Sequence, residues 1–142
     1  LPFADHTADV TVAFEIIEHF EPWEAKQIVD ELDRVTKPGG ALILSTPNRF
    51  SLESAKGIAR FLWDGTVWNA RDETHQHIFN RRELLALLKP RFKVEECYGY
   101  YPIPEVRRRG LPGTYAITTN PLLVNVCFLL LVVAAPLTQS PP

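Results

Sequence analysis

The chain has 142 residues, enough for one domain with a modest hydrophobic core. Its 15 lysines and arginines nearly balance 17 aspartates and glutamates, and the net charge of −2 gives no general attraction for nucleic acid. Two cysteines, Cys97 and Cys127, are too few for a disulfide framework, so they predict buried thiols in a reducing, cytoplasmic compartment.

The start of the chain predicts a piece of a longer protein. Leu1 lies in what the pattern indicates is a loop, and the sequence contains no methionine. No basic segment followed by an apolar run indicates a signal peptide.

The first half of the sequence predicts a strand, a helix and a second strand. Residues 10–17 are rich in β-branched and aromatic side chains, as in a strand buried on both faces. Pro22 then opens a helix, which the Lys-Pro-Gly-Gly sequence at 37–40 ends. Residues 41–46 form the second apolar strand. This order predicts a right-handed crossover between parallel strands in an α/β fold.

Residues 51–101 predict two more helices, a loop between them and a strand. Ser51 is the predicted N-cap of a second helix, and residues 64–79 have the character of an irregular loop. Asn80 and Glu83 have the spacing of a capping box, which predicts the start of a third helix. Residues 92–101 then predict a strand.

An apolar segment at residues 122–135 dominates the end of the chain. As a helix it would reach about 21 Å, short of the roughly 30 Å hydrocarbon core of a bilayer. Two interpretations compete: a helix buried against the domain, or an interfacial or re-entrant element with the arginines at 107–109 near lipid head groups. Because an apolar helix needs cover on every side, we predict contact of residues 121–137 with a membrane surface.

Polar side chains follow both predicted strands of the crossover. Residues 15–19 read Glu-Ile-Ile-Glu-His and residues 45–48 read Ser-Thr-Pro-Asn. The carboxyl ends of parallel strands meet at one edge of a sheet, so we expect both groups in one cleft. His19 is a candidate general base, because imidazole titrates near neutrality; the alternative is a histidine that holds the loop by a hydrogen bond. Asn48 could bind an acceptor or simply form a turn.

Four motifs, taken in order and spacing, resemble the class I S-adenosylmethionine-dependent methyltransferases of type 11. They are Leu-Pro-Phe-Ala-Asp at 1–5, Phe-Glu-Ile-Ile-Glu-His at 14–19, Arg-Val-Thr-Lys-Pro-Gly-Gly at 34–40 and Leu-Ser-Thr-Pro-Asn at 44–48. The resemblance implies that residues 1–101 are the C-terminal half of a methyltransferase domain, with a Rossmann-like partial parallel sheet in an α/β/α arrangement. Residues 102–142 would be an insertion or tail that carries the apolar helix.

The resemblance implies S-adenosylmethionine as the cofactor and methyl transfer as the reaction. The residues that it places beside the cofactor are Leu1, Pro2, Phe3, Phe14 and Glu15. The glycine-rich loop and the acidic residue that hold the cofactor in this family are absent from the 142 residues. We therefore expect this chain alone to bind cofactor poorly and to be inactive.

O-methylation of a small or lipid-linked acceptor is the predicted reaction, with His19 and Glu18 as catalytic residues. The alternative is a non-catalytic, methyltransferase-like module that binds a partner or a membrane. In the family the fourth strand, here residues 10–17, pairs with the first. Because no counterpart of that first strand is found in these residues, the strand at 10–17 would present an open hydrophobic edge, which predicts self-association.

A metal site is a further hypothesis. Glu15, Glu18 and His19 resemble the Glu-x-x-Glu-His group of ubiquinone-pathway O-methyltransferases and small-RNA 2′-O-methyltransferases, in which a later histidine completes a divalent-ion site. His75 is the predicted later histidine, favoured over His77 by its spacing to the third helix. Two carboxylates with imidazole would suit Mg²⁺ or Mn²⁺. The same pattern also resembles family members that use no ion.

Overall fold

The computed structural model describes residues 1–51, 74–102, 115–125, 127 and 129–137. In chain order these residues form β1 (Ala8–Phe14), α1 (Pro22–Val35), β2 (Thr36–Pro47), α2 (Arg81–Leu88), β3 (Phe92–Pro102), β4 (Tyr115–Thr118), α3 (Pro121–Val124) and β5 (Leu129–Pro136). Within these residues the strands form a five-stranded sheet in the order β1-β2-β5-β3-β4. The predicted Rossmann-like α/β fold is confirmed, with a mixed sheet in which β1 and β2 are parallel and β5 is antiparallel to both of its neighbours.

The predicted crossover forms as expected. β1 and β2 run parallel, and α1 connects them. α1 begins at Pro22, where Glu21 and Glu24 complete a capping box. Its apolar stripe, which includes Val29 and Leu32, joins the hydrophobic core that also contains Leu42 and Leu44 of β2.

β1 ends three residues earlier than the sequence predicts. Residues 10–17 were expected to form one strand, but Glu15 has a φ of +50°, in the left-handed region that interrupts an extended chain. A short 3-10 helix, Ile17–His19, follows. Ile17 is fully buried, so the apolar run continues through the turn although the strand does not. This turn brings Glu18 back toward the end of β2.

β2 begins earlier than predicted, directly after α1. The Lys-Pro-Gly-Gly sequence at 37–40, expected to end the helix, lies inside the strand, because α1 already ends at Val35. Ala8 pairs with Thr36 and Val10 pairs with Ala41, so residues 37–40 form a bulge in the ladder. Gly39 adopts a φ of +79° there, which glycine tolerates.

The prediction of an apolar C-terminal helix at 122–135 is wrong. Among the described residues of this segment, Pro121–Val124 form a helical turn and Leu129–Pro136 form β5, which lies between β2 and β3 and pairs with both. Leu130, Val132 and Ala134 are buried. Short apolar runs do not distinguish a buried strand from a buried helix by periodicity, and here the leucine and valine run suits a central strand.

This strand also changes the status of residues 102–142. β4 and β5 are in the same sheet as the strands of residues 1–101, so the described part of this segment is not an appended tail. The prediction of lipid contact depended on an uncovered apolar helix, and that reason does not apply to a strand covered on both edges. Across the described ranges, no helix combines the length and apolar character needed to cross a bilayer. The arginines at 107–109 lie outside the described residues.

The third predicted helix and the strand after it are confirmed as α2 and β3. Asn80 Oδ1 accepts a hydrogen bond from the Glu83 backbone N–H at 3.0 Å, and Glu83 Oε2 accepts one from the Asn80 N–H at 3.1 Å. The helix predicted from Ser51 and residues 64–73 of the predicted loop lie outside the described residues. Residues 74–79 contain no helix or strand, as expected.

Gly99 of β3 permits the close packing of the segment that leads into β5. A Cβ atom at this position would lie 2.9 Å from Cys127 Cβ and 3.0 Å from Val124 Cα. Cys127 is buried and Cys97 is half-buried, and both thiols are free. Of the two thiols predicted to be buried, Cys127 is buried as expected, whereas Cys97 is only partly so.

Candidate active site at the ends of β1 and β2

The two polar groups predicted to share a cleft meet at the ends of the parallel strands β1 and β2. Ser45 Oγ donates a hydrogen bond to Glu15 Oε1 at 2.6 Å. Thr46 Oγ1 donates one to Glu18 Oε2 at 3.0 Å. The parallel pairing explains this meeting, because it places the carboxyl ends of both strands at one edge.

Glu18 is the buried centre of this corner. Its side chain is fully buried, and its Oε1 atom has no hydrogen-bond partner in the part of the chain that the structure describes. The Glu18 carbonyl oxygen accepts hydrogen bonds from the backbone N–H groups of Gln76 and His77 at 2.9 and 3.0 Å. A buried carboxylate oxygen without a donor is costly, which makes Oε1 a candidate ligand atom.

Two histidines face Glu18. The rings of His19 and His75 lie 4.9 Å apart at an interplanar angle of 55°, and the buried Nδ1 atom of His75 has no partner within the described ranges. Glu18, His19 and His75 each offer one ligand atom, and these atoms lie within 4.8 Å of one another. The structure therefore brings together three of the four residues predicted for a metal site.

Glu15, the fourth predicted ligand, lies outside this group. Its carboxylate is bound to Ser45 instead. Although Glu15 is an exposed residue, desolvation of its carboxyl group raises its pKa, partly offset by the Ser45 hydrogen bond, and the nearby Glu18 raises it further. Because the folded state binds this proton more tightly than the unfolded chain, the contribution of Glu15 to stability falls as the pH rises through its raised pKa.

The choice of His75 over His77 agrees with the geometry. The His77 side chain contacts Arg49 and Glu83 instead: its Nε2 atom lies 3.0 Å from Arg49 Nη2 and 3.6 Å from Glu83 Oε2. His77 Nε2 thus accepts a hydrogen bond from Arg49 beside α2, while His75 is beside Glu18.

Arg49, which the sequence did not single out, holds the segment that carries His75. Its Nε donates to the Ile78 carbonyl oxygen at 2.8 Å and its Nη2 to Glu83 Oε2 at 2.6 Å, while its backbone N–H donates to the Phe79 carbonyl oxygen at 3.0 Å. Together with the two N–H groups that bind the Glu18 carbonyl, these contacts fix residues 76–79. No local sequence pattern reveals this function, because it joins residues about 30 positions apart.

Asn48 has a structural role. Its Nδ2 donates to the carbonyl oxygens of Asn125 and Cys127, each at 3.0 Å, and its Oδ1 accepts from the Phe50 N–H at 3.3 Å. Since the residue is buried and its amide atoms are used, it forms the turn after β2 and anchors the segment before β5. The turn alternative is therefore supported over acceptor binding.

Two of the five residues predicted to contact a cofactor, Leu1 and Phe3, border an open groove, whereas Pro2, Phe14 and Glu15 are not among the residues that line it. Leu1 and Phe3 are each 60% exposed, and with β1 and α1 they line a groove of about 940 Å³. The loop that carries them is tied to α1, because the His6 and Thr7 N–H groups donate to the carbonyl oxygens of Arg34 and Val35. Phe14 is also half-exposed.

Comparison with known proteins finds sequence relatives among methyltransferases. Residues 1–44 match the family model described as a methyltransferase domain. A probable S-adenosylmethionine-dependent methyltransferase of Mycolicibacterium smegmatis is 33% identical over 102 residues, which cover 71% of this chain and 35% of that protein. One from Mycobacterium tuberculosis is 39% identical over 56 residues, 39% of this chain and 20% of that protein. The chain thus spans about a third or less of these curated relatives.

Solved structures share the fold at low sequence identity. A methyltransferase from Thermotoga maritima, described as a possible histamine N-methyltransferase, has a TM-score of 0.68 at 16% identity, over 95% of this chain and 58% of its own. A methyltransferase from Methanosarcina mazei has a TM-score of 0.60 at 22% sequence identity, and the match covers 98% of this chain and 64% of that protein. A small RNA methyltransferase has a TM-score of 0.59 at 18% sequence identity, and the match covers 98% of this chain and 15% of that protein.

Proposed function

We propose that this chain, which is related in sequence and fold to the class I S-adenosylmethionine-dependent methyltransferases, forms the acceptor side of a methyltransferase active site. The match of residues 1–44 to the family supports this proposal. The observation that carries the site assignment is the meeting of Glu18, His19 and His75 beyond the ends of two parallel strands.

Methyl transfer depends mainly on how the protein aligns the acceptor atom with the cofactor. A sulfonium cofactor carries a labile methyl group, so the protein must hold an acceptor atom in line with it and exclude water. We assign Leu1, Pro2 and Phe3 to the adenine side of the cofactor and Phe14 and Glu15 to its methionine side. The acceptor would then lie toward Glu18.

We further propose a divalent cation at Glu18, His19 and His75. The two buried atoms without partners, Glu18 Oε1 and His75 Nδ1, support this choice. One carboxylate with two imidazoles fits Mn²⁺ better than Mg²⁺, which prefers oxygen ligands. When bound, such an ion lowers the pKa of a coordinated hydroxyl group and so favours O-methylation.

Hydrogen bonds from neighbouring residues leave the proposed ligand atoms of Glu18 and His19 available. Thr46 Oγ1 binds Glu18 Oε2 and so leaves Oε1 for the ligand. His19 Nδ1 lies 3.2 Å from the Thr74 carbonyl oxygen, which places the proton on Nδ1 and the free electron pair on Nε2. Without a cation the same Nε2 atom could take a proton from the acceptor, so both proposed roles use one tautomer. We propose a hydroxyl on a small or lipid-linked compound as the acceptor.

Titration with Mn²⁺, followed by electron paramagnetic resonance, tests the cation site. We expect the chain to bind one equivalent, and Glu18→Gln to weaken binding by more than about tenfold, because it removes a charged ligand but keeps the side-chain shape. Glu95→Gln, which changes a residue outside the cluster, is the matched control and should bind as the parent chain does. Unchanged affinity in Glu18→Gln would contradict the site.

Cofactor titration tests the methyltransferase assignment separately. By calorimetry we expect no saturable binding of S-adenosylmethionine to this chain up to about 1 mM, because its 142 residues lack the glycine-rich loop and the ribose-binding acid. Placing the upstream part of the Mycolicibacterium smegmatis relative ahead of Leu1 should restore binding, and Phe14→Ala should weaken it again. A folded chimera that binds no cofactor would favour the non-catalytic module.

A further inference from the structure

We infer that Arg49 is a positioning residue for the proposed cation site, an inference that rests on the proposed function. Arg49 is not itself a proposed ligand. It holds the backbone of residues 74–79, which carry His75, so that the His75 ring stays beside Glu18 and His19. A cation would then meet three ligand atoms that are already close together.

Residues 74–79 contain no helix or strand, so hydrogen bonds to other parts of the chain hold their backbone. One set of these bonds comes from the site itself. The Glu18 carbonyl oxygen accepts two backbone hydrogen bonds from the segment, at 2.9 and 3.0 Å, and His19 Nδ1 lies 3.2 Å from the Thr74 carbonyl oxygen. Two of the three proposed ligand residues therefore bind the segment that carries the third.

Arg49 holds the other end of this segment. Its Nε donates to the Ile78 carbonyl oxygen at 2.8 Å, and its backbone N–H donates to the Phe79 carbonyl oxygen at 3.0 Å. Arg49 follows Asn48, whose buried amide donates to two carbonyl oxygens of the segment before β5, so the backbone that carries Arg49 is itself fixed. The segment is thus held by the proposed ligands at one end and by Arg49 at the other.

Glu83 orients the Arg49 side chain. Its Oε2 accepts from Arg49 Nη2 at 2.6 Å and from the Asn80 N–H at 3.1 Å, so the capping box of α2 fixes the carboxylate. A guanidinium donates from several N–H groups in one plane, so the Glu83 contact directs Nε toward the Ile78 carbonyl. The Arg49 and Glu83 side chains are 39% and 37% exposed. This ion pair therefore adds little to the stability of the fold, and its effect is mainly local.

The charge of Arg49 allows positioning to be distinguished from electrostatics. A guanidinium repels a nearby divalent cation, so removal of its charge alone would strengthen cation binding. Loss of the hydrogen bond to Ile78 would instead release residues 74–79 and weaken binding, because metal affinity depends on the groups that hold the ligands. The two effects have opposite signs, so weaker binding in Arg49→Gln cannot come from the lost charge.

Arg91 is the matched control. Its Nε donates to Asp30 Oδ1 at 2.7 Å, and its side chain is 42% exposed, close to the value for Arg49. This ion pair joins the turn before β3 to α1 rather than to residues 74–79. Arg91→Gln therefore removes an equal charge and a similar ion pair and leaves the contacts of Arg49 in place.

Mn²⁺ titration followed by electron paramagnetic resonance tests the positioning role. We expect Arg49→Gln to weaken Mn²⁺ binding by about five- to tenfold and Arg91→Gln to bind as the parent chain does. Arg49→Lys keeps the charge but lacks the planar group that reaches Ile78 and Glu83 together, so it should also bind more weakly. Circular dichroism should show that the three variants are folded. Unchanged affinity in Arg49→Gln, or full recovery in Arg49→Lys, would overturn the inference.

Amide hydrogen exchange, measured by nuclear magnetic resonance without any cation, separates the role of Arg49 from the existence of the cation site. We expect the N–H groups of Gln76 and His77 to exchange about fivefold faster in Arg49→Gln than in the parent chain, as for one lost hydrogen bond. Arg91→Gln should keep the parent rates. Equal rates in the parent chain and Arg49→Gln would overturn the positioning role even if Mn²⁺ binds. A parent chain that binds no Mn²⁺ would instead overturn the cation site of the proposed function, and the inference with it.

Discussion

Replacing Leu130 by alanine is expected to lower the free energy of unfolding by about 2–5 kcal/mol, the usual cost of removing a buried leucine side chain. Leu130 is fully buried in β5, where it pairs with Thr46 of β2 and Gly99 of β3. Because its side chain is fully buried in the hydrophobic core, the substitution leaves a cavity there. Urea denaturation followed by tryptophan fluorescence and circular dichroism measures the change.

Leu122→Ala is the matched control for this prediction. Leu122 lies in the same apolar stretch of the sequence but is 78% exposed in α3, so its substitution should change stability by less than about 0.5 kcal/mol. If residues 122–135 formed one apolar helix, the two leucines would not differ in this way. Equal effects of the two substitutions would contradict β5 as a central strand.

The difference between these two leucines shows what the sequence could predict of the fold. The β1-α1-β2 unit was predictable from its three apolar patterns. Pro22 separates the first from the second at the helix start, and Gly39 and Gly40 precede the third. The position of β5 was not, because its pairing with β2 joins residues far apart in the chain, such as Ile43 and Val133. An apolar run carries no signal for that distant partner.

The candidate site was predictable to a similar degree. Parallel strands place Glu18 beside Thr46, and this follows from topology alone. Glu15 was expected in the same cluster, but its positive φ and its bond to Ser45 Oγ turn its carboxylate away to another partner. Backbone reversals of this kind depend on the packed surroundings rather than on residue type.

Replacing His75 by glutamine is expected to weaken Mn²⁺ binding by more than about tenfold, because it removes one of three proposed ligands. His77→Gln is the matched control. His77 lies two residues away and its Nε2 contacts Arg49, a hydrogen bond that a glutamine side chain can replace. We expect this variant to bind Mn²⁺ within about twofold of the parent chain.

Thermal unfolding gives a second readout for this pair. A ligand that binds only the folded state stabilises it by about 2.7 kcal/mol at one hundred times its dissociation constant. Added Mn²⁺ should therefore raise the melting temperature of the parent chain and of His77→Gln, but not that of His75→Gln. Because His75 Nδ1 is buried without a partner within the described ranges, the metal-free His75→Gln chain should remain folded. If the two variants instead lost Mn²⁺ binding equally, the segment held by Arg49 would not select His75, and the cation would have to be placed elsewhere.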